Sequence, residues 1–215
     1  MNKYVIELIG TFFLVLTIGL SSNPIAIGFV LAAMVYMGAH ISGANYNPAV
    51  SLGIFMRKKL SAKDLIIYWI FQIIGAILAA LVCKELMGKT FAPAPADGTS
   101  FINALLVEFL FTFALVSVVL NVATTRKRDG NSYFGLAIGV TVMAGAFSVG
   151  SISGGAFNPA VAIGPILVDT INGGSSMKNI LIYLIGPFLG GAVASIVFKF
   201  TNPEEYQEQS LTFHE

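Results

Sequence analysis

Long apolar stretches dominate this chain, and their lengths predict its structural elements. Four of them, at about residues 4–22, 65–83, 103–123 and 179–198, each match the roughly 20 residues that one helix needs to cross the core of a bilayer. Two further runs, 21–56 and 132–168, contain no Lys, Arg, Asp or Glu over 36 and 37 residues. Each is too long for one crossing and too short for two with a turn. Each is therefore predicted to hold one full span and a half-helix of about 10–15 residues.

Both uncharged runs contain the triplet Asn-Pro-Ala, whose chemistry suits the start of a half-helix. Proline is well tolerated at the first helical position, where its missing N–H would have had no partner. Asparagine is a strong N-cap because its side-chain oxygen accepts from the first-turn amides, while its NH₂ group remains as a donor beyond the helix end. Alanine is small enough for two such ends to approach closely. The residues are Asn47, Pro48 and Ala49, and Asn158, Pro159 and Ala160.

The two triplets belong to an internal repeat. SGANYNPAVSLG (42–53) and SGGAFNPAVAIG (153–164) agree at seven of twelve positions. Glu7 and Glu108 also open matching E-x-x-x-T-F segments earlier in each half. Each half then holds three spans and one half-helix. Because three is an odd number, the second half enters the membrane from the opposite side, which gives an inverted repeat.

The repeat predicts an all-α membrane protein with six transmembrane helices and two half-helices. Its single channel domain covers 1–215 and consists of two inverted repeats at about 1–90 and 100–200. A tail follows over 201–215. The polar, acidic end of that tail, NPEEYQEQSLTFHE, is expected to be solvated.

Composition supports a membrane protein and argues against several other classes. The mean hydropathy is +0.82, with 56% hydrophobic and only 11% charged residues, whereas a soluble domain needs more polar cover. A net charge of +1 gives no reason to expect nucleic acid as a partner. With one cysteine and two histidines, the chain offers no metal cluster and no nucleophile–base pair. We therefore predict no catalytic residues and no enzyme activity.

The basic residues predict the orientation in the membrane. Nine of the twelve Lys and Arg residues fall on one predicted side: Lys3, Arg57, Lys58, Lys59, Lys63, Arg126, Lys127, Arg128 and Lys199. Loops rich in basic residues stay in the cytoplasm. Both termini of this multi-pass membrane protein are therefore predicted to be cytoplasmic.

The half-helices also predict a path through the membrane. Non-helical backbone at membrane depth is tolerated only where it is buried in protein or lines a water-filled cavity. Two inverted half-helices therefore imply an aqueous path with the amide donors of Asn47 and Asn158 at its middle. Both helix N-termini carry partial positive charge to that point, which repels cations and protons and admits neutral molecules.

The chain resembles the aquaporin, or major intrinsic protein, family. The resemblance rests on the opening ELIGTFFLV, on HISGANYNPAVSLG, YWIFQIIGA and LLVEFLFTF, and on SISGGAFNPAVAIGP. It implies a homotetramer in the lipid bilayer with one pore per subunit, passive flow of water and small uncharged solutes, and no cofactor or metal. It also implies that Glu7 and Glu108 brace the pore-lining loops from behind.

The resemblance further locates the narrowest part of the pore, where this sequence departs from common family members. Counting from the two motifs, the four constriction positions are Ile27, Ala146, Gly155 and Val161. An aromatic residue, a histidine and an arginine are common at the first, second and fourth. The set found here has no charge and no side-chain donor. We therefore expect a pore wider than that of a strict water channel, open to glycerol, urea or metalloid acids such as arsenite.

Some alternatives stay open at this point. The chain is also compatible with a strict water channel, or with a secondary transporter built on inverted repeats. Ion coupling would need titratable groups at depth, and only Glu7, Glu108 and His40 qualify. His40 is expected either to brace a loop by hydrogen bonding or to sense pH. Asn45, at a position where histidine is common, is expected either to line the cytoplasmic vestibule or to cap a turn.

Overall fold

The structure, a computed structural model, describes residues 1–207. Its helices are α1 (Asn2–Ser21), α2 (Pro24–Ser42), α3 (Pro48–Met56), α4 (Ala62–Met87), α5 (Phe101–Ala123), α6 (Phe134–Ser153), α7 (Pro159–Ile171), α8 (Ile180–Thr201) and α9 (Glu204–Gln207). Six of them, α1, α2, α4, α5, α6 and α8, are long and apolar enough to cross a membrane. The half-helices α3 and α7 have 9 and 13 residues. The predicted six spans and two half-helices are confirmed.

Both half-helices begin where the Asn-Pro pairs predict. The side-chain oxygen of Asn47 accepts from the backbone N–H of Ala49 at 2.8 Å, and that of Asn158 accepts from Ala160 at 2.9 Å. The proline after each asparagine occupies the first helical position. The same pair also starts α2, where the Asn23 oxygen accepts from Ile25 at 2.9 Å.

The two halves pack by the same contacts. In the first half α1 lies against α4, and in the second half α5 lies against α8. A glycine permits each close approach, since a Cβ on Gly75 would lie 2.4 Å from the carbonyl oxygen of Leu8. A Cβ on Gly190 would lie 2.5 Å from the carbonyl oxygen of Phe109. Each half-helix packs extensively on a span of the other half, α3 on α8 and α7 on α4. The core therefore sits where the two halves meet.

The outward faces of the spans are apolar as well. Each of the six spans exposes large hydrophobic side chains, of which one per helix is named here: Phe13, Phe29, Ile66, Leu106, Phe147 and Ile196. Water would be a poor solvent for such a surface, whereas lipid tails and neighbouring apolar proteins suit it. The chain is an integral membrane protein.

The expectation of a solvated tail is wrong for Glu205, whereas the side chain of the neighbouring Glu204 is 43% exposed. Glu205 is buried, because the fully buried guanidinium of Arg57 at the end of α3 draws its carboxylate into contact. Tyr206 packs beside Phe198 with ring centroids 6.4 Å apart. The remainder of the predicted tail, 208–215, lies outside the described residues.

Candidate pore

The two Asn-Pro-Ala motifs meet through a reciprocal pair of hydrogen bonds. Asn47 Nδ2 donates to the carbonyl oxygen of Phe157, and Asn158 Nδ2 donates to that of Tyr46, both at 2.9 Å. Each asparagine thus caps its own half-helix with its oxygen and holds the opposite loop with its nitrogen. Each NH₂ group has a second hydrogen, and both side chains line a cavity. The structure therefore brings the two predicted motifs together.

That cavity has a volume of about 480 Å³ and runs between the two halves. A second cavity of about 400 Å³ adjoins it and opens beside residues 124–131, the connection between α5 and α6. The two cavities share four lining residues, Val35, Ala44, Val119 and Ile138. The two cavities therefore adjoin each other, and we call the side at residues 124–131 the inner side.

All four predicted constriction residues line the larger cavity. Ile27 lies in the first turn of α2, Ala146 in α6, Gly155 in the loop before Asn158, and Val161 in the first turn of α7. None of their side chains can form a hydrogen bond. The backbone N–H of Gly155 is also occupied, since it donates to Ser153 Oγ at 3.1 Å. Among the described residues, no charged side chain lines this cavity.

Glu7 lies behind the loop that leads into α3 and accepts four hydrogen bonds. Its Oε1 accepts from Ser42 Oγ at 2.7 Å and from the backbone N–H of Asn45 at 2.9 Å. Its Oε2 accepts from the backbone N–H of Tyr46 at 2.7 Å and from Gln72 Nε2 at 2.8 Å. The carboxylate is fully buried, and both of its oxygens are satisfied.

Glu108 occupies the equivalent place in the second half with one donor fewer. Its Oε1 accepts from Ser153 Oγ at 2.7 Å and from the backbone N–H of Ala156 at 3.0 Å. Its Oε2 accepts from the backbone N–H of Phe157 at 2.7 Å. Pro187 stands where the first half has Gln72, since each follows a matched tyrosine by four residues. The two loops are therefore held by the same geometry at unequal strength.

The residue before each asparagine has a backbone conformation that bulky side chains rarely adopt. Tyr46 and Phe157 both have φ of 50°, in the left-handed region. In each case the N–H bonds a glutamate and the carbonyl accepts from the opposite asparagine. Such strain persists only where the surroundings over-determine it. The reciprocal bonds and the two carboxylates provide that support.

Two tyrosines support the same loops and were not singled out as site residues from the sequence. The Tyr68 hydroxyl donates to the carbonyl oxygen of Ser42 at 2.7 Å, and the Tyr183 hydroxyl donates to that of Ser153. Both tyrosines are buried. A signal was available, because the Ile-Tyr pairs ending at Tyr68 and Tyr183 recur in the internal repeat.

The structure bears on the alternative roles that the sequence left open for Asn45 and His40. Asn45 is buried and lines the larger cavity, and its Nδ2 donates to Ser51 Oγ at 3.1 Å. His40 is exposed near the end of α2, and its side chain forms no hydrogen bond within residues 1–207. The interpretation of His40 as a brace for the loop is therefore wrong.

Comparison with known proteins finds relatives along most of the chain. Residues 16–198 match the sequence model of the family described as "Major intrinsic protein". The chain is 33% identical over 188 residues to aquaporin AqpM of Methanothermobacter thermautotrophicus, which covers 84% of this chain and 76% of that protein. It is 34% identical over 226 residues to glycerol uptake facilitator protein-like 6 of Lactiplantibacillus plantarum, with 95% and 100% covered. The X-ray structure of the aquaglyceroporin from Plasmodium falciparum matches with a TM-score of 0.82 at 20% identity, over 95% of this chain and 98% of that one. At that identity it shows a shared fold.

Proposed function

This chain belongs to the major intrinsic protein family and is a passive channel for water and small solutes, not an enzyme; on that premise we propose that its pore selects neutral solutes by size at an apolar constriction wider than that of a strict water channel. The candidate solutes besides water are glycerol, urea and neutral metalloid acids such as arsenite. The observation that carries the proposal is the set Ile27, Ala146, Gly155 and Val161, which lines the cavity without one side-chain donor or charge.

Two physical consequences support a wide range of solutes. Small aliphatic side chains at three positions and a glycine at the fourth leave space that an aromatic ring and an arginine would fill. Water in single file loses its strongest hydrogen-bonding group when that arginine is absent, so the preference for water over larger neutral molecules is reduced. A moderately polar solute crosses such a ring at a lower steric and desolvation cost.

The middle of the pore excludes ions in this proposal. Asn47 and Asn158 are the pore residues at which the half-helix N-termini meet, followed by Pro48 and Ala49, and by Pro159 and Ala160. Each of those N-termini has a partial positive charge of about half an elementary charge. A cation or a proton would lose its hydration there and be repelled, whereas a neutral molecule with an acceptor oxygen is admitted.

The carboxylates of Glu7 and Glu108 act as braces for the pore loops. Their hydrogen bonds to the loop amides hold the backbone in its strained conformation, so that each asparagine reaches the opposite loop. Neither carboxylate lines the cavity, so we assign them no contact with solutes.

We assign the inner side of the pore to the cytoplasm and the functional unit to a homotetramer. The concentration of basic residues on the side of both termini supports the orientation. The apolar outward faces of the spans and the family resemblance support assembly. Light scattering of the detergent-solubilised protein would give the number of copies. Labelling of Lys59→Cys, compared with Lys178→Cys, in sealed vesicles would give the orientation.

Stopped-flow measurements on proteoliposomes test the constriction. The wild-type channel is expected to pass glycerol and urea as well as water, and arsenous acid would be measured in the same vesicles. Val161→Arg is expected to reduce glycerol and urea permeability more than water permeability, because it adds bulk and a cation at the ring. Val161→Leu is the matched control that adds bulk without charge. A wild-type channel that passes water and none of these solutes would overturn the proposal.

A further inference from the structure

An apolar constriction leaves few groups in the pore that can hydrogen-bond a solute. The polar side chains that line the larger cavity are Ser22, Asn45, Tyr46, Asn47 and Asn158. Two of these have already used their donors, because the hydroxyl of Ser22 donates to the carbonyl oxygen of Ile18 at 3.1 Å and that of Tyr46 to the carbonyl oxygen of Met34 at 2.9 Å. Their oxygens can still accept, but Tyr46 is 0% exposed and Ser22 lies in the turn before α2, ahead of the constriction at Ile27. The three carboxamides therefore provide most of the hydrogen bonding that side chains offer in this cavity.

The two motif asparagines can offer a solute donors only. Their oxygens accept from first-turn amides, as do those of ordinary N-caps. One hydrogen of each NH₂ group goes to the opposite loop, which leaves one hydrogen per residue. A solute oxygen can accept from these hydrogens, but the hydroxyl or amide hydrogens of the same solute find no acceptor on Asn47 or Asn158.

Asn45 supplies the complementary group. Its amide nitrogen is tethered to Ser51 Oγ at 3.1 Å, and its backbone N–H is tethered to Glu7 at 2.9 Å. Its Oδ1 has no partner in the part of the chain that the structure describes, yet it is not among the atoms sealed from solvent. The side chain is thus fixed at one end, its acceptor oxygen keeps some accessible surface, and the residue lines the cavity. Asn45 lies two residues before Asn47, so the acceptor and the donors lie close together along the path.

Within residues 1–207, the second half has no equivalent of this arrangement. The repeat places Ala156 opposite Asn45 and Ala162 opposite Ser51, 111 residues further along the chain. The second half therefore has neither the amide nor the serine that tethers it. Among the side chains of the described residues, a solute that has passed the apolar ring therefore meets both a donor and an acceptor at the middle and the inner side of the pore.

We propose that Asn45 is a specificity-determining residue of this channel: its amide oxygen accepts from a solute whose own oxygen accepts from Asn47 and Asn158. The favoured solute class is small neutral molecules that carry donors and acceptors together, such as polyols and urea. This inference rests on the proposed wide pore, because it concerns solutes larger than water.

The test compares steric and hydrogen-bonding effects, which act in opposite directions. Asn45→Ala enlarges the path, so a purely steric role predicts faster glycerol flux. Our proposal predicts slower flux, by about fivefold, the effect of one typical hydrogen bond. Asn45→Leu keeps the volume and removes the polar atoms, and it is expected to reduce glycerol and urea flux to a similar extent. Water permeability, measured in the same vesicles, is expected to change less and reports that the channel is folded.

Two further variants distinguish the effect of the Ser51 tether from the effect of path width. Ser51→Ala removes the tether but keeps the Asn45 amide, so an intermediate decrease in glycerol flux is expected. Val35→Ala enlarges the same path without removing a polar group, and glycerol flux is expected to stay equal or to rise. A wild-type channel that excludes glycerol and urea would overturn the proposed function and this inference with it. A permeable wild type whose ratio of glycerol to water flux is unchanged in Asn45→Ala and Asn45→Leu would overturn this inference alone.

Discussion

Arg57 and Glu205 are 148 positions apart in the chain and form a buried ion pair on the inner side of the bundle. Arg57 Nη2 lies 2.6 Å from Glu205 Oε2, and Nη1 lies 3.1 Å from the Glu205 carbonyl oxygen. The two side chains are 0% and 3% exposed. The guanidinium also lies over the rings of Phe198 and Tyr206, at 5.2 and 4.7 Å from their centroids. The end of a half-helix is thereby joined to the chain that follows the last span.

The same glutamate reaches the connection between α5 and α6. Its Oε1 accepts from the backbone N–H of Arg126 at 3.1 Å. Lys127 pairs with the neighbouring Glu204 at 3.2 Å, but those side chains are 78% and 43% exposed. Because water screens exposed pairs, the Lys127 pair contributes little, whereas a buried charge left without its partner is costly.

Arg57→Met is therefore expected to lower the free energy of unfolding of the detergent-solubilised protein by roughly 3 kcal/mol. Glu205 would stay buried, with the half-exposed guanidinium of Arg126 at 3.7 Å and the Arg126 backbone N–H as its remaining partners. The apparent unfolding temperature, followed by size-exclusion chromatography after heating, measures the effect. Lys127→Ala is the control, and its free energy of unfolding is expected to change by less than about 1 kcal/mol. Equal losses in the two variants would contradict this assignment.

The spans and half-helices could be predicted because the rules that set them are local. An uncharged run of 36 residues exceeds one crossing, and Asn47-Pro48 marks the start of the excess. The internal repeat added the pairing of the halves, since it aligned Asn47 with Asn158. Those inferences needed no knowledge of which side chains touch at long range.

The partners of buried polar groups could not be predicted in the same way. Nothing near Arg57 in the sequence marks it as more buried than Lys58 or Lys59, and its partner lies in a segment whose composition suggests a solvated tail. Gln72 likewise has no counterpart in the repeat, because Pro187 occupies the matching position. Such contacts depend on the packing of distant elements. The internal repeat gives no help either, because the contacts of Arg57 and Gln72 are not duplicated in the other half.

Gln72 provides a test of how much this additional donor to Glu7, which Glu108 lacks, contributes to stability. Its Nε2 donates to Glu7 Oε2 at 2.8 Å and to Ser51 Oγ at 3.0 Å, but its own Oε1 is buried without a partner in residues 1–207. Gln72→Leu removes the two hydrogen bonds and also the unsatisfied oxygen. These effects oppose each other, so we expect a net loss of about 1–2 kcal/mol in stability, with water permeability retained.

Glu7→Gln is the comparison for that variant. Whichever way the new amide is turned, its NH₂ group would face two of the donors from which Glu7 now accepts. The loss of stability is therefore expected to exceed that of Gln72→Leu. Unfolding temperatures and water permeability per folded channel, measured for both variants, give the order. The opposite order would mean that the carboxylate of Glu7 does not hold the loop.

The close helix contacts make a separate prediction. Gly75→Ala places a Cβ 2.4 Å from the carbonyl oxygen of Leu8, a backbone atom that cannot move without displacing α1 from α4. Strain of this kind typically costs about 1–3 kcal/mol, and Gly190→Ala is expected to behave alike at Phe109. Gly150→Ala is the control, since no atom beyond its own stretch of helix lies within 4 Å of the added methyl group and alanine favours a helix. Its unfolding temperature is expected to stay equal or to rise.

The reciprocal bonds between the motifs lead to the last prediction. Asn47→Asp keeps an oxygen for the cap but turns a second oxygen toward the Phe157 carbonyl, which Asn47 Nδ2 now approaches at 2.9 Å. A negative charge at a helix N-terminus gains about 0.3–1 kcal/mol, and up to ~2 in a partly buried place. Burying that carboxylate against an acceptor costs several kcal/mol, so the loss is larger.

We therefore expect Asn47→Asp and Asn158→Asp to lower both stability and water permeability, and to similar extents, because each asparagine holds the loop of the other. Asn23→Asp is the matched control, since it changes the same Asn-Pro cap at an exposed place where the nitrogen holds no partner loop. It is expected to leave both quantities unchanged. Stopped-flow water flux and the unfolding temperature would be measured in parallel for all three variants. If Asn23→Asp proved as harmful as the motif variants, capping alone would explain the asparagines, and the bonds across the pore would not be what holds the two half-helices together.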